Sequence, residues 1–234
     1  MAAISRARLR RWHVWLGWLI FIPMLLWTVS GVTMVLKPIE EVRGEGLMTP
    51  PPPLRLTEPV VPPRIEGVPL KTLALQPRAA GPRWIVTLED GTTRLADPAS
   101  GALLPRLSAA DAMHEAMARY TGTEKVASVT RTDRDHPPLD LRKPVDTWQV
   151  SMTDGTHFYV DAGSGEVVAR RTGWWRFYDF MWGLHIMDPV GREDSHNPFI
   201  IGFGIAALVS TLLAIVLLPM VTKRRRKSGF PTVE

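Results

Sequence analysis

Two long apolar runs lie near the ends of the chain and enclose a polar middle segment. Residues 14–36 form 23 consecutive positions without a charged side chain, and residues 199–221 form another 23. A helix of about 20 apolar residues crosses the roughly 30 Å hydrocarbon layer of a membrane. The pattern therefore predicts transmembrane helices at 14–36 and 199–221.

The first run also occupies the position of a secretory signal peptide, because arginines precede it. However, its apolar stretch is longer than a signal peptide needs, and it contains three Trp residues. No small-residue cleavage motif follows it before Lys37. We therefore interpret residues 14–36 as an uncleaved membrane anchor.

Basic residues flank the two runs on their outer sides. They are Arg6, Arg8, Arg10 and Arg11 before the first run and residues 223–227 after the second. The segment between the runs holds 19 basic and 22 acidic residues and lacks this bias. Positive charge beside a span favours the cytoplasmic side. We expect both basic ends, 1–13 and 222–234, in the cytoplasm, where they contact lipid headgroups and do not bind nucleic acid.

A proline-rich stretch follows the first run. Eight prolines lie between residues 49 and 69. Proline lacks the amide proton that helices and sheets use, and it favours an extended chain. The composition predicts a semi-rigid linker over residues 37–69.

An internal repeat with an offset of 64 residues organises the middle segment. The matching pairs are Trp84 and Trp148, Asp90 and Asp154, and Asp97 and Asp161. Each copy has an alternating strand, an Asp-Gly turn, a second strand and an Asp-x-x-Ser-Gly turn, which is typical of hairpins. The repeat predicts two related β-hairpin halves that bury one shared face.

A helix is predicted between the two copies. Residues 108–122 have apolar positions at helical spacing, with Ser108 and Asp111 as capping residues and Gly122 at the end. Strands and helix together predict an α+β domain over 70–173. The aromatic-rich segment that follows, 174–198, is expected at the membrane interface and contains a polar hinge before the second span.

Composition narrows the chemistry that the chain can carry. None of the 234 residues is Cys, which excludes disulfides, thiolate metal sites, iron–sulfur clusters and a cysteine nucleophile. The sequence contains no phosphate-binding loop, no nucleophile–base pair and no paired acids in a motif. It therefore predicts no self-contained catalytic site, and nitrogen and oxygen ligands remain for a bound group.

Three strings together resemble the PepSY-associated transmembrane family of bacterial inner-membrane proteins. They are RRWHVWLGWLIFIPMLLWTVSG, DTWQVSMTDGTHFYVDAGSGEVVARR and WWRFYDFMWGLHIMDPVGRED. The resemblance covers the chain apart from its proline-rich linker. It implies a membrane α-helical protein with two transmembrane helices and an extracytoplasmic, periplasmic α+β PepSY module. Some larger members with four spans bind b-type haem and reduce ferric siderophores or serve related electron transfer.

This chain departs from those larger members in two respects. It has only two apolar runs, and it shows no flavin- or nicotinamide-binding signature. The resemblance therefore implies a homodimer or a membrane reductase partner that completes a four-helix bundle. Four small residues at four-residue intervals in the second run favour such close helix contact: Gly202, Ala206, Ser210 and Ala214.

Three of the six histidines fall at predicted membrane boundaries. His13 begins the first run, His185 ends the aromatic stretch at the family's Leu-His motif, and His196 lies in the polar hinge. Neutral imidazole is the usual nitrogen ligand of haem iron. We expect these three residues to contribute to cofactor binding, with His13 and His185 as ligands of haem iron. The soluble histidines at 114, 136 and 157 are interpreted as structural.

Each boundary histidine also has an alternative interpretation. His13 fits an interfacial side chain in an aromatic belt, and His185 fits a polar anchor. The string around His196 fits a turn in which Ser195 or Asn197 caps the next helix. The hinge charges Asp188, Arg192, Glu193 and Asp194 could hold haem propionates or a metal, or could simply be solvated.

Spacing restricts how haem could be held. A full span separates His13 from His185, so both cannot bind one iron within a single chain. Pairing across subunits, or between His185 and His196, stays open. The leading expectation is a haem b electron-transfer component of a reductase or iron-handling system. The alternative is a non-catalytic, membrane-anchored PepSY module that binds or regulates a peptide, protease or partner protein.

Overall fold

A computed structural model describes the backbone of residues 5–227 and the side chains of residues 5–220. The expected basic ends 1–13 and 222–234 thus lie partly outside the described residues. The elements in chain order are α1 (Arg6–Met34), α2 (Ile39–Val42), a 3₁₀ turn (Glu45–Leu47), β1 (Leu70–Arg78), β2 (Gly81–Leu88), β3 (Thr93–Ala96), α3 (Ala109–Met117), β4 (Val126–Thr132), β5 (Thr147–Met152), β6 (His157–Asp161), β7 (Val167–Arg171), α4 (Gly173–His185) and α5 (Pro198–Lys227).

The chain divides into two compact units. One unit contains the described residues up to Leu36 and from Tyr178 onward, and the other is Lys37–Phe177. The first unit holds the two long helices, and the second holds all seven strands.

The two long helices are the apolar elements that the sequence predicts. Arg6–Met34 and Pro198–Met220 are both long and apolar enough to cross a membrane. In the most apolar 18 residues of each helix, only 6% and 11% are buried. They pack side by side in opposite directions, since His13 contacts Ser210 while Trp27 contacts Phe203. Helices that expose apolar side chains almost all round indicate association with a membrane.

The strands form two antiparallel sheets, in the orders β1-β2-β3 and β4-β5-β6-β7. The pairing of Trp84 with Ala96 in the first sheet has the same 64-residue offset from the pairing of Trp148 with Val160 in the second. In both sheets an Asp-Gly turn joins the two strands, and its glycine has a φ of +79°. Glycine adopts this left-handed conformation without steric cost, which is why the turn uses it.

Helix α3 has the capped start that the sequence predicts. The Ser108 hydroxyl accepts a hydrogen bond from the Asp111 amide, and the Asp111 carboxylate accepts one from the Ser108 amide. The buried face of α3 carries Ala112 and Ala116, which are fully buried. These small side chains pack in the main core with Val150 and other apolar residues of the second sheet.

The first part of the predicted linker belongs to the same compact unit as the sheets. Val42 is buried, and Met48 is part of the main core and forms a β-bridge with Tyr120. Further along, the indole of Trp84 donates a hydrogen bond to the carbonyl of Val61. Residues 37–69 therefore contribute two short helical turns and apolar contacts as well as a spacer.

Candidate functional site

His13 faces the second long helix. Its Nδ1 lies 3.1 Å from the backbone oxygen of Ser210 and 3.2 Å from the Ser210 hydroxyl. The imidazole is half-buried, and Ser210 is buried. The predicted boundary histidine is thus held between α1 and α5.

His185 is held in a similar way at the opposite end of the helix pair. Its Nδ1 lies 3.1 Å from the backbone oxygen of Trp27 and 3.1 Å from the hydroxyl of Ser30, which is fully buried. The ring also stacks on Trp27, with ring centres 4.8 Å apart and planes inclined by 19°. The end of α4 is thereby attached to α1.

The two contacts bear on which nitrogen of each ring carries the proton. A backbone carbonyl can only accept a hydrogen bond, so the contacts of His13 and His185 with a carbonyl oxygen are hydrogen bonds in the tautomer whose proton is on Nδ1. In a neutral imidazole the Nε2 atom then keeps its lone pair. A histidine whose Nδ1–H is fixed by a carbonyl and whose Nε2 is a free base has the usual arrangement of a metal ligand.

The two imidazoles are far apart. His13 and Ser30, the partner of His185, are separated by 17 residues of one helix, which at about 1.5 Å per residue corresponds to roughly 25 Å. One chain therefore supplies one imidazole at each end of the pair. Among the described side chains, no group of three or more His, Asp or Glu residues is arranged to hold a metal ion.

His196 lies in the turn that leads into α5. It is exposed, its Nδ1 lies 3.3 Å from the Ser195 hydroxyl, and its amide donates to the Asp194 carboxylate. Asn197 is the residue that caps α5, because its side-chain oxygen accepts from the amides at positions 199 and 200. The structure shows no contact that joins the His196 ring to His185.

The charged residues of the α4–α5 loop support the loop itself. Arg192 forms an ion pair of 2.9 Å with Asp179, which is buried. The Asp188 carboxylate accepts hydrogen bonds from the backbone amides of Glu193, Asp194 and Gly191. These amides, with Glu193 contributing most, hold the pKa of Asp188 below its usual value. Such a loop fixes the direction in which the chain enters α5.

Two residues of the His185 environment did not emerge from the sequence analysis, namely Ser30 and Trp27. Their spacing within an apolar run gives no signal, because the same residues would fit a lipid-facing surface. Gly31 also lies next to the His185 ring, because a Cβ atom at Gly31 would come within 3.2 Å of Cε1 of His185. The absence of a side chain at Gly31 therefore lets the imidazole lie against α1.

Gly31→Val is expected to loosen this contact. Overpacking a close contact costs about 1–3 kcal/mol, so amide hydrogen exchange at the end of α4 should accelerate about tenfold, the factor that corresponds to about 1.4 kcal/mol. Exchange measured by mass spectrometry on peptides covering residues 180–190 checks this. Gly17→Val is the matched control, since a Cβ at Gly17 meets nothing within 4 Å. Equal acceleration of hydrogen exchange in both variants would contradict the close contact between Gly31 and His185.

The small-residue surface of α5 is partly used within the chain. Ser210 is buried and contacts His13, and Ala206 and Ala214 are half-buried, while Gly202 is exposed. This surface was the reason to expect self-association. The homodimer stays a prediction, and it needs a helix surface other than the one occupied by Ser210.

A polar cluster on the second sheet was also missed. The Tyr159 hydroxyl donates to the Asp140 carboxylate at 2.6 Å, and His157 Nδ1 lies 3.3 Å from the same carboxylate and 2.7 Å from the amide of Gln149. Burial, together with the hydrogen bond to Asp140, raises the pKa of Tyr159. The cluster fixes the loop that contains Leu141, whose side chain is buried against Tyr159. His157 therefore takes part in a hydrogen-bonded cluster that supports the sheet.

Comparison with known families identifies the segment that forms the second sheet. Residues 106–171 match the family described as "Peptidase propeptide and YPEB domain", or PepSY. The match covers α3 and strands β4 to β7 and lies inside the predicted domain 70–173. No curated protein and no solved structure matches the chain. The chain therefore contains a PepSY domain together with two apolar helices long enough to span a membrane.

Proposed function

We propose that this chain is a membrane-anchored PepSY protein that binds b-type haem through His13 and His185 and transfers electrons within a reductase or iron-handling system. One observation carries the proposal. At each of two places along an apolar helix pair, a histidine has its Nδ1 at 3.1 Å from a backbone carbonyl oxygen, which is the contact that a metal-ligating histidine commonly makes with its other nitrogen.

The proposed location is the bacterial inner membrane, with both termini cytoplasmic and the PepSY domain periplasmic. The antiparallel packing of α1 and α5 supports this arrangement, because it brings the arginines before residue 13 and the basic end of α5 to the same end of the pair. Positive charge at one end of a helix pair favours its cytoplasmic placement.

The donor set fits haem only in an assembly. Each end of the helix pair offers one imidazole, and b-type haem held by two histidines needs a second one. In a twofold homodimer whose axis runs along the helices, the two copies of His13 would meet at one end and the two copies of His185 at the other. A membrane reductase partner with its own histidine would serve equally well.

Bound haem supplies one-electron chemistry that side chains of this chain lack. The chain itself contributes the two imidazole nitrogens, their fixed orientation and an apolar surrounding that excludes water. Ser30 and Trp27 orient His185, and Ser210 orients His13. A hydrogen bond from Nδ1–H to an acceptor fixes the orientation of the ring of a metal-ligating histidine.

Absorbance of the purified protein from haem-replete cells tests the proposal. We expect a Soret band and split α and β bands on reduction, because two histidines hold low-spin haem iron. His185→Ala and His13→Ala should each remove about half of the haem per chain, and the double variant should remove all of it. His136→Ala, which changes an exposed loop histidine, is the matched control.

A colourless wild-type protein from haem-replete cells would overturn the proposal. Equal haem content in the wild type and in the double variant would overturn the assignment of the ligands. Either result would favour the alternative function, which is a non-catalytic PepSY module that binds or regulates a peptide, protease or partner protein. The family match is consistent with that alternative, since it concerns the PepSY domain and not the helices.

A further inference from the structure

We propose that the cytoplasmic end of the α1–α5 pair is a binding site for an anionic phospholipid, with Arg10 and Arg11 as headgroup ligands and the groove between the two helices as the acyl-chain site. The proposal is independent of haem, since neither the headgroup pocket nor the groove includes His13.

The headgroup part is a pocket on α1. It is a shallow, open pocket of about 330 Å³, and it is lined by Ala7, Arg10, Arg11, Val14 and Trp15. Residues 7, 11 and 14 are spaced by about one helical turn, so they lie on one face of the helix. Two guanidinium groups and one indole thus surround a space next to the first apolar turns of the helix.

The acyl-chain part is a larger, apolar groove beside the pocket. It is lined by Trp12, Trp15, Leu16 and Leu19 of α1 and by Val209 and Leu213 of α5, and it has a volume of about 680 Å³. Every lining residue is apolar or aromatic. Trp15 borders both cavities, so the two lie next to the same side chain.

Charge complementarity identifies the ligand. Among the described side chains, no carboxylate is paired with Arg10 or Arg11. Guanidinium groups bind phosphate oxygens in a fork-like geometry, and basic residues beside a transmembrane helix attract anionic headgroups. A molecule with a phosphate at one end and alkyl chains at the other matches both cavities at once.

Depth along the helix agrees with this arrangement. Arg11 and Leu19 are separated by eight residues, which corresponds to about 12 Å along the axis. Trp12 and Trp15 lie between them and are 51% and 67% exposed. Indole rings prefer the level of the headgroups, where their apolar body meets the acyl chains. The pocket therefore lies toward the polar end of α1, and the groove extends from the level of Trp12 to that of Leu19.

The test measures lipid affinity directly on the full chain in detergent micelles. Dioleoylphosphatidylglycerol is titrated, and native mass spectrometry counts bound lipid. Arg10→Ala/Arg11→Ala should lower the affinity about tenfold or more, because both guanidinium groups line the pocket that would hold the phosphate. Arg6→Ala/Arg8→Ala removes the same charge outside the pocket and should change the affinity less than threefold.

Two further measurements distinguish a specific lipid-binding site from general electrostatic attraction. Leu16→Trp keeps every charge but fills the groove, and it should also weaken binding. Inorganic phosphate at millimolar concentration should not displace the lipid, and dioleoylphosphatidylcholine should bind at least tenfold more weakly. Equal losses in the two double-arginine variants would overturn the proposal, as would unchanged binding in Leu16→Trp. Repeating the titration on protein from haem-deficient cells keeps this outcome separate from that of the haem proposal.

Discussion

Phe158→Ala is expected to destabilise the 37–177 unit by about 3–5 kcal/mol, the usual cost of removing a buried aromatic side chain. Phe158 on β6 is fully buried, and its ring meets that of Tyr120 edge to face, with ring centres 5.5 Å apart. It lies in the main core with Val150 and Met152 of β5 and Ala112 of α3. The truncation leaves a cavity between the helix and the sheet, which rigid backbone elements fill only in part.

Urea titration with pulse proteolysis on the full chain in lipid nanodiscs measures this loss, because the bilayer protects the two long helices from the protease. The urea midpoint should fall, with a loss of at least 3 kcal/mol in the free energy of unfolding. Leu103→Ala is the control, since Leu103 is 46% exposed and its β-bridge to Ala96 uses backbone atoms only. A loss below about 1 kcal/mol for Phe158→Ala would contradict the core described here.

Gly163→Ala is expected to destabilise the same unit by about 2–4 kcal/mol, combining overpacking with a lost charge-assisted hydrogen bond. A Cβ atom at Gly163 would lie 2.1 Å from the backbone oxygen of Thr93, so the two segments must separate. The Thr93 hydroxyl donates to the buried Asp161 carboxylate at 2.6 Å across this contact. The substitution thus disrupts the junction between the first sheet and the PepSY segment.

The same urea experiment shows why Gly163→Ala lowers the free energy of unfolding. Gly46→Ala is the matched control, because a Cβ at Gly46 meets nothing within 4 Å. Thr93→Ala alone should cost only the hydrogen bond. Adding Thr93→Ala to Gly163→Ala should not rescue stability, because the closest atom is the backbone oxygen of Thr93. Full rescue in the double variant would show that the side chain, and not the backbone, causes the clash.

Much of the local structure follows from the sequence because its signals are local. The lack of charge over residues 14–36 and 199–221 predicts two long helices, and they form. Ser108 and Asp111 predict a capped helix start, and the capping box is present. Asp-Gly pairs predict hairpin turns, since few other residues adopt a positive φ, and the two turns form at Gly91 and Gly155.

Contacts between distant segments could not be predicted in the same way. His185 and Ser30 are 155 residues apart, and His13 and Ser210 are 197 residues apart. Periodicity shows which helix face is small or polar but not which helix will cover it. This is why Ser210 was expected at an interface between copies while the structure places it against α1. The packing of Met48 into the core also depends on a distant partner, Tyr120.

The two Asp-x-x-Ser-Gly turns show that two copies of one sequence motif can differ in their tolerance to substitution. At Asp97 the carboxylate caps its own turn, and the following residues are partly exposed. At Asp161 the carboxylate caps the equivalent turn and also holds Thr93, with residues 161–165 buried. Mutational data from one copy therefore do not transfer to the other, and sequence variation between homologues should be weighed separately for each copy.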